Sequence, residues 1–82
     1  MNRRDLALIA ETRAALADGS ARERRVLARI SVSEMAAACG ASSAAVSMWE
    51  RRDADGKPLR RPGTAGALAY GRALQAAERK AA

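Results

Sequence analysis

The chemistry open to this chain is that of fixed positive charge. Fifteen Lys and Arg stand against nine Asp and Glu, a net charge of +6 with no His at all. Without His the usual general base at neutral pH is missing. The carboxylates are scattered among arginines, and no residues have metal-ligand spacing or form a phosphate-binding glycine loop. No cofactor or metal is expected, and the chain does not read as an enzyme. Cys39 has no second Cys or His to build a site with, so it reads as a small apolar filler and fits a reducing cytoplasm. What remains is a basic surface. An excess of this size suggests a polyanionic partner, although solubility alone also accounts for such charge.

A surface needs a scaffold, and composition points to helices. Ala, Leu, Arg and Glu are common; Phe is absent, and Trp49 and Tyr70 are the only aromatic residues. The 82 residues fit one domain spanning 1–82. No apolar run is long enough to cross a bilayer. The N-terminal segment carries Glu11, Arg13 and Asp18, which a secretory leader does not.

Five helical segments can be read. Residues 5–18 carry a stripe of Leu6, Ile9, Ala10, Leu16 and Ala17, with Gly19 as the stop. Ser20-Ala21-Arg22-Glu23 fits a capping box opening a second helix, whose apolar side is Val26, Leu27 and Ile30. Ser31-Val32-Ser33-Glu34 is another capping box, with Ile30 and Met35 placed to staple the helix start. That third helix runs to about Cys39 and ends at Gly40. Ser42 caps a fourth, running from Ser43 to about Arg52 with Val46 and Trp49 inward. Asp53 to Gly63 is a loop, and a last helix covers 64–79 with Leu68, Tyr70, Ala73, Leu74 and Ala77 as its apolar positions. Gly66 and Gly71 each weaken that helix by about 1 kcal/mol relative to Ala, so it depends on tertiary packing. The fold class expected is all-α, a compact bundle of about five helices.

The segment 31–51, two short helices about a turn containing Gly40, has helix-turn-helix spacing. Gly40 can take the positive φ such a turn requires. Ala36 lets the helices approach closely, and Met35 and Val46 can pack where they cross. The run Met35-Ala36-x-x-x-Gly40-Ala41-Ser42-x-x-x-Val46-Ser47-x-Trp49-Glu50 resembles the helix-turn-helix of the Cro and lambda-type phage repressor family. That pattern is Leu-Ala-x-x-x-Gly-Val-Ser-x-x-x-Ile-Ser-x-Trp-Glu. Arg25, Ile30 and Ser31 upstream and Arg61-Pro62 downstream extend the likeness, which covers about residues 21–74.

The resemblance implies a lambda-repressor-like bundle that binds double-stranded DNA as a transcriptional regulator in the cytoplasm of a bacterial host. It implies base-edge contacts from Ser43 and Ala44, with Ser47 and Met48 a turn later. Ser42 at the cap would sit near a phosphate, where the helix N-terminus favours an anion. Arg51, Arg52, Lys57, Arg60 and Arg61 lie where the family touches backbone, and Arg60 or Arg61 could also reach a minor groove. Arg25 and Glu50 stand where the family has a partly buried ion pair that orients the recognition helix. Val32 replaces a common phosphate-gripping Gln. The Ser, Ala and Met recognition face lacks strong bidentate base partners unless Arg51 supplies one, so modest direct readout is expected. A homodimer, if formed, must use the last or the N-terminal helix, and would bind half-sites about one helical turn apart. Two further readings stay open: a protein-interaction module such as an antitoxin, favoured by an apolar stripe along Leu6, Ile9 and Leu16 or along Leu68 and Leu74, and an architectural or recombination accessory DNA binder.

Overall fold

Asn2 opens the first helix. Its side-chain oxygen accepts the Asp5 N–H at 2.8 Å, so the helix starts two residues earlier than the apolar pattern places it. In the computed structural model, which describes residues 1–81, five helices follow in order: α1 (Arg3–Asp18), α2 (Ser20–Leu27), α3 (Val32–Cys39), α4 (Ser43–Glu50) and α5 (Thr64–Ala81). The class is all-α as expected. Among the described residues the only extended pairing is a single bridge between Arg52 and Pro58. The last helix passes the expected end at Arg79, and α4 stops at Glu50, where Arg51 turns to extended backbone.

Two expectations for α2 fail. Ser20 does not cap it. Gly19, at φ +88°, ends α1 and begins α2 at once, so Ser20 is already helical and the capping box has no room to form. Asp18 takes over part of that role, accepting the Ser20 N–H at 2.8 Å. The bonds to Ser20 hold its carboxyl below the usual carboxylate range. Nor is the apolar side where Val26 and Leu27 put it. Leu27 is 81% exposed and Val26 is exposed too, while Ala21 and Arg25 face the core. The reason is the short helix: Arg29 adopts φ +59° just after it, and the Ile30 N–H reaches back to the Arg25 carbonyl. That turn delivers Ile30 to the core and leaves the last α2 residues outside. On α1, similarly, the inward side is Ile9, Thr12, Ala15 and Leu16; Leu6, Ala10 and Ala17 are exposed.

The core joins α1, α3, α4 and α5 through Leu16, Met35, Val46, Trp49, Tyr70 and Leu74. The two glycines of α5 find their reason here. A Cβ on Gly66 would stand 2.9 Å from the Trp49 ring, and one on Gly71 would stand 2.9 Å from Leu8 Cγ and closer still to Thr12. Each glycine exchanges helix propensity for close approach. Gly66→Ala and Gly71→Ala are therefore expected to destabilise the fold by about 1–2 kcal/mol each, overpacking outweighing the gain in propensity. Denaturant unfolding checks this; a stabilised variant would mean that α5 packs less closely than described.

Candidate nucleic-acid interface

The turn between α3 and α4 is built by caps at both ends. The α3 capping box forms in full: Glu34 N–H donates to Ser31 Oγ and Ser31 N–H to Glu34 Oε1, each at 3.0 Å. Those bonds hold the Glu34 carboxyl below its ordinary range. Met35 is wholly buried, with Ile30 packed against the same core, as a staple requires. Gly40 closes α3 at φ +64°, and the Ala41 N–H returns to the Ala36 carbonyl. Ser42 then caps α4 by accepting the Ala45 N–H at 3.0 Å. Cys39 packs at the edge of the core beside this turn, where burial pushes its thiol pKa up.

From that cap, α4 presents a split surface. Val46 and Trp49 point into the core, and Ser42, Ser43 and Ala44 are exposed. Ser47 and Met48, one turn on, are half-buried. Ser43 Oγ lies 3.5 Å from Ser33 Oγ on α3, which places the starts of the two helices side by side. Ser42 keeps its hydroxyl proton free while its oxygen caps the helix, so it can still donate outward.

A buried polar cluster fixes the far end of α4. Arg25 and Glu50 are each 6% exposed, and Tyr70 is fully buried. Arg25 forms a fork on the Glu50 carboxylate, Nε to Oε2 at 2.6 Å and Nη2 to Oε1 at 2.8 Å. Its Nη1 donates to the Ile30 carbonyl at 2.8 Å. The Tyr70 hydroxyl donates to Glu50 Oε2 at 2.8 Å. The carboxylate thus ties α2, α4 and α5 together, and the Arg25 guanidinium adds the α2–α3 turn. The bond to Glu50 raises the Arg25 pKa against the opposing effect of burial. Burial first, then the hydrogen bond to the carboxylate, drives the Tyr70 hydroxyl far above the ordinary range of a phenol.

The loop after α4 is more ordered than its lack of apolar period suggests. Asp53 organises it, its Oδ1 accepting the N–H groups of Asp55 and Lys57 while the Asp53 N–H donates to the Lys57 carbonyl. Leu59 and Arg60 N–H groups donate to the carbonyls of Arg51 and Met48, folding the loop back onto the end of α4. Arg51, Lys57, Arg60 and Arg61 are exposed and make no ion pair among the described residues. Arg52 is likewise exposed and in no ion pair among the described residues, but its side chain turns toward α1. Its guanidinium lies against Gly19, where a Cβ would stand 2.8 Å from it, and its charge helps hold Asp18 ionised.

The family resemblance pairs Arg25 with Glu50, while the apolar pattern takes Tyr70 only as an inward position. A lone Tyr on an inward stripe was itself the signal, because a buried hydroxyl needs a partner. Two surface ion pairs were also missed, Arg24 with Glu78 at 2.6 Å and Arg72 with Asp5 at 3.0 Å. Both tie α5 to the N-terminal helices rather than contributing free cations. No family model, curated protein or solved structure matches the chain.

Proposed function

We propose that this chain is a sequence-specific double-stranded DNA-binding regulator, with α3 and α4 as a helix-turn-helix and α4 lying in the major groove. The observation that carries this reading is the pairing of an exposed α4 start with unpaired cations on the loop at its other end. Ser42, Ser43 and Ala44 stand out from the cap, and Arg51, Lys57, Arg60 and Arg61 project from the chain that follows. The outward spacing suits base edges at one place and phosphates at the other. In this reading Ser43, Ala44, Ser47 and Met48 face bases, and Ser42 and the four cations hold phosphate. Arg52, drawn toward Gly19 and Asp18, contributes less. Arg25, Glu50 and Tyr70 set the angle of α4 and touch no base. Such a regulator works in the cytoplasm of a bacterial host, alone or as a homodimer.

Arg51→Ala and Arg61→Ala are each expected to weaken binding to every duplex and to reduce the salt slope by about 1. Equilibrium titration over a range of salt reads this; an unchanged slope removes that residue from the phosphate footprint. Selection of duplexes from a random pool at near-physiological salt tests the reading as a whole. Enrichment of a palindrome supports a dimeric regulator, and enrichment of one half-site a monomeric one.

One observation favours a second reading. The outward side of α4 offers hydroxyls, a methyl and a thioether, but no Arg, Gln or Asn. An architectural binder with little sequence preference would use such a face, and retention of the pool without enrichment is its signature. Of the apolar stripes that would favour a protein-interaction module, Ile9, Leu16 and Leu74 are buried and Leu68 is half-buried, while Leu6 is 57% exposed.

A further inference from the structure

A groove of about 450 Å³ runs between α1 and the loop after α4. That volume lies in the range of small-molecule sites, roughly 300–1,000 Å³. Its walls are mainly apolar, from Leu16 and Ala17 on one side and Pro58 and Pro62 on the other. Three cations stand around it, Arg13, Lys57 and Arg61, and no carboxylate lines it. Arg13 is poorly satisfied. Its Nε is shut away from solvent with no acceptor, and its Nη2 makes only a long 3.4 Å contact with the Pro62 carbonyl. None of the three cations has an ion-pair partner among the described residues.

We infer that this groove binds a small amphipathic anion, a carboxylate carried on a hydrocarbon or aromatic body. The apolar walls take the body, and the carboxylate settles on the Arg13 guanidinium, whose one hydrogen bond among the described residues is the long contact from Nη2 to the Pro62 carbonyl. Lys57 and Arg61 close on the same carboxylate from the loop side. Neither half of the site suffices alone: inorganic phosphate has no body for the walls, and a neutral alcohol has no charge for the arginines. Resting on the proposed function, one consequence follows for regulation. Lys57 and Arg61 belong to the proposed phosphate footprint, so an occupied groove withdraws them from DNA and weakens its binding.

Calorimetric titration of the DNA-free chain with octanoate tests the site without reference to DNA. Octanoate is expected to bind saturably at one site, and phosphate and 1-octanol at least about tenfold more weakly. Arg13→Gln is expected to weaken octanoate by about tenfold or more. Ala17→Glu places a carboxylate at an exposed position on the groove wall and is expected to abolish binding while circular dichroism remains that of the parent. Equal binding of phosphate would reduce the site to a cationic patch and overturn the inference. Equal binding of octanol, no saturable heat, or octanoate binding unaffected by Ala17→Glu would overturn it as well. Octanoate that binds the groove yet leaves duplex affinity unchanged would overturn the regulatory consequence alone.

Discussion

Glu50→Ala is expected to cost about 3–5 kcal/mol, because it strands the Arg25 guanidinium in a site only 6% exposed. The whole stability of a domain this size is roughly 4–12 kcal/mol. A loss of that order lowers the melting temperature by at least about 12 °C and leaves a substantial unfolded fraction in the less stable case. Removal of the carboxylate deletes both bonds of the Arg25 fork and the acceptor of the Tyr70 hydroxyl. Replacing Arg25 and Glu50 together by Met is expected to recover part of the loss: no uncompensated charge is left behind, but the buried Tyr70 hydroxyl and the Ile30 carbonyl still lack their partners. Thermal melts of the parent, the single variant and the double variant check this. A Glu50→Ala protein that melts like the parent but no longer binds DNA would instead make Glu50 a contact residue.

The same cluster dictates an alkaline limit. In the folded chain Tyr70 is neutral, buried and bonded to a carboxylate, so its pKa lies well above the 10.0 of a free phenol. Below pH 10 the group is protonated whether the chain is folded or not, and its contribution is fully present. Above that pH the unfolded chain loses the proton and the folded chain keeps it. Stability is then expected to fall by about 1.4 kcal/mol for each further pH unit. Because the chain has one Tyr, its near-ultraviolet tyrosinate absorbance reports this group alone. The absorbance is expected to rise together with the loss of helical circular dichroism, and Tyr70→Phe to lack this part of the pH dependence. Tyrosinate forming near pH 10 with the helices intact would mean that water reaches the hydroxyl.

The parts of this fold that were legible in the sequence are those governed by local rules. The Ser31–Glu34 box, the Gly40 stop and the Ser42 cap each depend on a few neighbouring residues, and each forms as read. Trp49 and Val46 go inward because their spacing leaves no other side. Where two local rules compete, the reading goes astray. Gly19 and Ser20 both suit the α1–α2 junction, and the left-handed glycine takes it. Val26 and Leu27 look like a core face only if α2 continues, and the turn at Arg29 stops it. The second class of error is tertiary. Nothing near Gly66 or Gly71 reveals that Trp49 and Thr12 press on them, so packing glycines look like defects until the partners are placed. The site divides in the same way: Ser42 and the α4 face are local, while the place of the Arg52 guanidinium beside Gly19 depends on where α1 and α2 meet.

The central claim is that the α4 face and the loop cations bind duplex DNA while the buried cluster merely holds them. Its most direct test is amide chemical-shift mapping of the full chain on a duplex selected from the random pool. The account predicts shifts concentrated at residues 42–48 and at Arg51, Lys57, Arg60 and Arg61, with the outer faces of α1 and α5 quiet. Shifts confined to α1 and α5, or the absence of any change on duplex addition, would contradict it.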